Sequence, residues 1–388
     1  MKYVRIIEIR ALFLRTLVVF LLLEGILSLL FHIKDTYFSP DPRRHADAYT
    51  DREVAARYFQ EHHASASMTW HPYVYWRRKP FSGTYIHVDT QGVRRSVYPR
   101  LTEADTTYRI IFYGGSTMWG TGAPDEATIP SHVGDLLTRK GIDTEIVNRG
   151  ETGYVTTQEV IDLLRRLQEG DIPHVVVFFD GANDVFTAYQ QGVAGWPQNE
   201  YHRMEEFNLS QPDRRWKLPL LFLRNSAVAR LVRGILHKTG LLQHRISAPA
   251  HPDSLASEVV ERYAANIRMV EALARAYGFK VLFYWQPVTF TKTPLTPYEA
   301  REAARLQYLE PFYATVNRHI RARRERLSIH FHDISHLFDG EPAPMFIDWC
   351  HLSPEANRRI ALRMAEDLAL LLSTKGARNQ RPGSPVDP

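Results

Sequence analysis

The sequence predicts an α/β protein in which a parallel sheet is covered by helices on both faces, preceded by a transmembrane helix and a small β-rich segment. Two patterns carry this expectation. From Tyr108 onward, short β-rich runs alternate with amphipathic helical runs, the signature of a sheet whose crossovers are helices. Ahead of them, residues 11–33 (ALFLRTLVVFLLLEGILSLLFHI) form an unbroken 23-residue apolar stretch, long enough to cross a bilayer core as a helix. The chain has 388 residues, 44% hydrophobic and 23% charged, which is an ordinary globular balance and excludes a disordered chain. The formal charge of +5 is small for this length and points to no nucleic acid. The run Arg321, Arg323, Arg324 and Arg326 ends a helical pattern, where cations complement the helix dipole. A single cysteine, Cys350, excludes an intrachain disulfide, so stability must come from the core.

In order along the chain, residues 1–34 read as a cytoplasmic N-terminus and membrane anchor. Lys2, Arg5 and Arg10 precede the apolar stretch, which favours a cytoplasmic N-terminus and an exported remainder. A signal peptide is the rival, but Lys34-Asp35-Thr36-Tyr37-Phe38 offers no small-x-small cleavage site. A single-pass protein of the cytoplasmic membrane, with its main domain outside, is therefore expected. Arg15 can snorkel to the interface, whereas Glu24 near the middle requires protonation or a partner helix. A buried helix of a soluble protein is the plainer alternative.

Residues 35–100 read as a linker with a short helix near 51–62, followed by a small aromatic-rich β element (68–98) that packs onto the main domain. Nothing in that segment demands chemistry. The main domain spans 101–374. Its strands are expected at 109–113, 144–148, 174–179, 279–285 and 328–332, its helices at 129–140, 156–169, 254–277, 297–327 and 354–372. Residues 186–252 break the rhythm as a long insertion with one apolar helix pattern (218–236), equally suited to a lid or a structural insert. The tail 375–388 is rich in Pro and Gly and reads as disordered.

Ligands of such sheets bind beyond the carboxyl ends of the strands, and the residues of interest collect there. The first strand ends in Gly114-Gly115-Ser116-Thr117, glycines that let the backbone turn sharply and leave a hydroxyl exposed. The second ends in Asn148-Arg149-Gly150-Glu151-Thr152-Gly153, and the third in Asp180-Gly181-Ala182-Asn183-Asp184. A glycine-turn amide and an asparagine amide are both donors for a developing oxyanion. Taken singly, Gly153 reads as a turn residue and Asn183 as a turn cap.

The fourth segment is Asp348-Trp349-Cys350-His351-Leu352-Ser353-Pro354. Ser353, Pro354 and Glu355 make a helix start, which leaves His351 on the loop before it. Asp348, three residues earlier, can fix the imidazole tautomer while the other ring nitrogen accepts a serine proton. Metal ligation is the natural rival for this pair, but no other cluster has metal-ligand spacing, so neither a metal nor a cofactor is expected. Cys350 is set aside as a nucleophile because adjacent loop residues tend to point apart.

Ser116, Gly153, Asn183 and Asp348/His351, in this order at the ends of successive elements, resemble the SGNH (GDSL-like) hydrolase superfamily over residues 108–372. The resemblance implies a flavodoxin-like three-layer α/β/α sandwich. It also implies a triad of Ser116, Asp348 and His351, and an oxyanion hole made by Gly153, Asn183 and the backbone amide of Ser116. One departure stands out: Gly115 occupies the place of the family's usual aspartate. With its membrane anchor the chain is similar to envelope-bound bacterial members. The implied activity is ester hydrolysis on an acylated carbohydrate or lipid outside the membrane. O-acyl transfer to an envelope or exported polysaccharide and a non-catalytic binding module are the alternatives.

Overall fold

The computed structural model describes residues 2–35, 41–101, 106–213, 215–239 and 248–373; the proposed tail 375–388 lies outside them. In chain order its elements begin with helix α1 (Lys2–Ile33) and α2 (Arg52–Ala64). Four short strands follow, β1 (Met68–His71), β2 (Tyr75–Arg78), β3 (Phe81–Ser82) and β4 (His87–Val88). Then come β5 (Thr107–Gly114), α3 (Ser116–Trp119), α4 (Ile129–Arg139), β6 (Asp143–Asn148), α5 (Thr156–Gln168), β7 (Val175–Asp180) and α6 (Ala182–Gln191). Helices α7 (Glu200–Ser210), α8 (Leu218–Asn225) and α9 (Ala227–Lys238) come next. The chain closes with α10 (Pro252–Tyr277), β8 (Lys280–Trp285), α11 (Pro297–Ala304), α12 (Glu310–Leu327), β9 (Phe331–Asp333) and α13 (Pro354–Ser373).

The chain divides into two compact units: residues 1–41 with 199–247, and residues 42–198 with 248–388. The larger unit is built on a five-stranded parallel sheet in the order β6-β5-β7-β8-β9. With the five strands numbered in chain order this is 2-1-3-4-5, the flavodoxin order, whose switch point lies between β5 and β7. Side chains alternate across the sheet. On one face Ile110, Phe112, Val175, Val177 and Leu282 join Ile129, Val133 and Leu137 of α4 and Ile360, Met364 and Leu368 of α13 in one buried core. The alternate positions stack as a ladder of rings, Tyr113–Phe178–Phe283, with centroids 5.3 Å apart at each step. Tyr263 of α10 meets Trp285 on that side at 5.0 Å. Burial of β7 on both faces explains its continuous apolar run, VVVFF.

All five sheet strands fall within three residues of their expected places. Two helices differ. The pattern at 297–327 is two helices, α11 and α12, because Arg305–Leu309 leave the helix before Pro311 restarts α12 at its first turn. The pattern at 218–236 is likewise split into α8 and α9. Ser226 leaves helical geometry and its hydroxyl caps Ala229 N, a polar stop inside an apolar run. Of the expected insertion, residues 186–191 complete α6, whereas 199–247 group with the N-terminal segment.

In the smaller unit α1 is a single 32-residue helix whose span Arg10–Ile33 has a mean hydropathy of 2.3. None of that span is buried, which removes the soluble core-helix alternative. Length and composition fit a signal sequence or an anchor alike. Glu24 does not await a foreign helix: its carboxylate accepts from Ala227 N (2.6 Å) and Val228 N (3.1 Å) at the start of α9.

Candidate active site

Ser116 owes its position to two glycines. A Cβ on Gly114 would stand 2.6 Å from Met118 Cβ and 2.7 Å from Phe179 O, so only glycine lets β5 run against β7 and turn at once into α3. Ser116 is the first residue of α3 and lies at the carboxyl edge of the sheet, beside the switch point.

The partner loop is anchored from several sides. Glu299 accepts from Met345 N and Phe346 N, Tyr298 donates to Ile347 O, and Thr289 N donates to Trp349 O. Ser353 caps α13 by accepting from Ala356 N at 3.1 Å. Within this frame Asp348 Oδ1 accepts from Cys350 N (3.0 Å) and His351 N (2.8 Å), folding the loop into one tight turn. The turn brings Asp348 Oδ2 to 2.5 Å from His351 Nδ1 and leaves His351 Nε2 2.7 Å from Ser116 Oγ. Carboxylate, imidazole and hydroxyl, 235 residues apart between serine and histidine, thus form one hydrogen-bonded chain. With Nδ1–H given to Asp348, Nε2 is the acceptor for the serine proton.

The other two loops converge on the same edge. Glu151 N donates to Gly114 O at 3.0 Å, which lays the 149–153 loop against the end of β5. Gly153 stands in that loop at φ +74°, a left-handed conformation that suits glycine. Asn183 Nδ2 donates to Tyr154 O at 2.8 Å and lies 2.2 Å from where a Cβ on Gly115 would be. A side chain at position 115 would therefore meet the Asn183 amide. Ser116, His351 and Asp348 are joined directly, Asn183 abuts the turn before Ser116, and Gly153 occupies the adjoining loop.

The linker and the 68–98 element, the latter expected to carry no chemistry, both reach the site. Arg43 Nη1 lies 3.4 Å from Asp348 Oδ2, Trp76 Nε1 donates to Thr152 O, and Arg78 N donates to Glu151 Oε2. An arginine pair in a polar stretch carries no sequence signal of a partner 305 residues away. Burial opposes the ionisation of Asp348, but His351, through charge and hydrogen bond, and then Arg43 outweigh it, and the carboxyl is held well below the ordinary range. His62 is pushed well below the usual imidazole range by burial and then by Arg43 and Arg78.

Cys350 does not point fully away from its neighbour, since its Sγ lies 3.8 Å from His351 Nδ1. It stands on the Asp348 side of the ring, and burial and Asp348 push its thiol pKa well up, which keeps it a protonated thiol. Asp348, Cys350 and His351 each bring one possible ligand atom within 4.8 Å of the others. His351 Nδ1 is already bonded to Asp348 and the thiol resists deprotonation, so this donor set suits a proton relay better than a metal.

A parallel α/β sheet with a Ser–His–Asp chain at its carboxyl edge defines a serine hydrolase-type site. The sequence profile of the GDSL-like Lipase/Acylhydrolase family matches residues 112–359, and the chain belongs to that family. No curated protein matches it. Among solved structures it is similar to the acetyl xylan esterase AlAXEase, at 15% identity over 67% of this chain and 99% of that one, with a TM-score of 0.38. Axe2, an acetylxylan esterase from Geobacillus stearothermophilus, matches at 15% identity over 67% and 94%, with a TM-score of 0.35. A Clostridium thermocellum family 3 carbohydrate esterase matches at 14% identity over 68% and 100%, with a TM-score of 0.33.

Proposed function

We propose that the chain is a membrane-anchored serine esterase that removes acyl groups from a carbohydrate on the exported side of the cytoplasmic membrane. The observation that carries this reading is the hydrogen-bonded chain from Asp348 through His351 to Ser116. His351 Nε2 takes the proton of Ser116 Oγ as the oxygen attacks the ester carbonyl carbon. The backbone amides of Ser116 and Gly153 and the Asn183 side chain hold the oxyanion. The tetrahedral adduct collapses, the C–O bond to the sugar breaks, and the imidazolium gives its proton to the departing sugar oxygen, which leaves as a hydroxyl. Water, deprotonated by His351, then attacks the acyl carbonyl, and as the bond to Ser116 Oγ breaks the imidazolium returns the proton to that oxygen, releasing the free acid.

A carbohydrate is favoured over a lipid by the surface next to Asp348. Phe186, Phe290 and Trp349 are each partly exposed, with Trp349 6.0 Å from Phe186 and 6.1 Å from Phe290. Phe186 stands one helical turn beyond Asn183, and Trp349 adjoins Asp348. Tilted, half-exposed rings suit the apolar face of a pyranose.

The test is p-nitrophenyl acetate turnover by the full chain in detergent, with and without an oligosaccharide acceptor, beside Ser116→Ala. Serine-dependent release without acceptor is expected, and Ser116→Ala should lower it by about 10³ or more. Activity that survives Ser116→Ala sinks the mechanism. Release that requires the acceptor, with acetyl recovered on the sugar, replaces hydrolysis by acyl transfer.

A further inference from the structure

Residues 215–239, which carry α8 and α9, contain six Lys or Arg residues and no Asp or Glu. Among the described residues, five of their large apolar side chains are uncovered: Phe222, Leu223, Leu231, Val232 and Ile235 are 39–59% exposed. Trp216 is 71% exposed, with Lys217 Nζ 5.1 Å from its ring centroid. A basic, acid-free segment with an uncovered apolar face and a Trp–Lys pair at its start has the composition of a helix at a lipid interface.

The contacts with α1 give this segment a depth. Glu24 binds Ala227 N and Val228 N, while Arg230, on the next turn, pairs with Asp35 at 2.8 Å and lies over the Phe31 ring. From Glu24 to Asp35 is roughly 16 Å of helix at 1.5 Å per residue, about half of a ~30 Å hydrocarbon core. If α1 spans, α9 therefore starts well below the surface and climbs toward it. Its first turn is finished for an apolar surrounding. Ser226 N donates to Leu223 O, Ala227 N and Val228 N to Glu24, and Ala229 N to Ser226 Oγ. A helix start in water needs no such completeness, whereas hydrocarbon demands it.

We propose that α8 and α9 are seated in the outer half of the bilayer against α1. Their apolar faces meet acyl chains; Arg230, beside Asp35, and Lys238, at the far end of α9, lie at the level of anionic lipid headgroups, whereas Arg224 at the deep end is paired with Glu205. The proposal rests on the reading of α1 as a membrane span. Continuity with the uncovered surface of α1 and the acid-free composition of residues 215–239 select a lipid surface over a second copy of the chain.

The experiment is site-directed spin labelling of the full chain in vesicles of phosphatidylethanolamine and phosphatidylglycerol. Single cysteines are introduced as Leu231→Cys, Ile235→Cys, Leu21→Cys on α1 and Tyr73→Cys on the larger unit; native Cys350 is buried and stays unlabelled. Leu21 and Tyr73 are exposed, at 52% and 73%. The ratio of collisions with oxygen to collisions with a water-soluble nickel chelate should be several-fold higher at 231 and 235 than at 73, and close to that at 21. Water access at 231 and 235, with 21 still in hydrocarbon, overturns the proposal and leaves the anchor standing. Water access at 21 as well overturns both. Mutual spin broadening at 231 and 235 assigns the face to a second copy and overturns the lipid seat.

Discussion

A methyl group added at Gly115 would begin 2.2 Å from Asn183 Nδ2, closer than real contacts allow, and the Asn183 side chain is the part that can yield. Gly115→Ala should therefore leave the fold in place and move one proposed oxyanion donor off target. Thermal melting should shift by little, while kcat for p-nitrophenyl acetate falls by about 10²–10³, the loss seen when an oxyanion donor is removed. An unchanged kcat would remove Asn183 from the proposed hole. At this scale the sequence showed unevenly. Ser116, Asp348 and His351 were visible because glycine turns and a capped helix start mark their loops in one dimension. Arg43 and the close approach of Asn183 to Gly115 were not, because both depend on packing between residues far apart in the chain.

The aromatic patch is a property of three elements, α6, the turn after β8 and the Asp348–His351 loop, each giving one ring. If it seats the sugar, Trp349→Ala should raise KM for an acetylated oligosaccharide roughly 2- to 10-fold, equivalent to the 0.5–1.5 kcal/mol of an aromatic contact. It should leave p-nitrophenyl acetate, which has no sugar, nearly untouched, and Trp349→Phe should recover most of the loss. Equal damage to both substrates would mean that Trp349 only holds the His351 loop. At the level of elements the strands were legible because period-two burial and buried apolar runs fix them. The two helix breaks were not, since Ser226 and the residues before Pro311 fit an amphipathic pattern; capping and packing decide there.

At the scale of the whole molecule, the larger unit buries three carboxyls together behind the 181–184 turn. Asp184 is raised to about 6 by burial, against its hydrogen bonds from Thr156. Glu159 and Asp180 are pushed well above the ordinary range, each by burial first and then by the neighbouring acids; Arg77 opposes this at Glu159. Each carboxyl titrates near pH 4 in the unfolded chain and higher in the folded one. Between those values the folded state holds protons that the unfolded state has released. The cluster's contribution is thus fully present below about pH 4 and is lost as pH rises through about 6 and beyond, by up to about 1.4 kcal/mol per pH unit for each proton. The histidines held low by burial, His62, His71, His132, His174 and His332, act in the opposite sense, so the test must be a difference. Glu159→Gln keeps the shape of the protonated acid and removes one of the three charges. Its denaturant-measured stability relative to the parent chain should improve steadily from pH 4.5 to 8. A constant difference across that range would mean that Glu159 is ionised in the folded protein and its charge is compensated by Arg77.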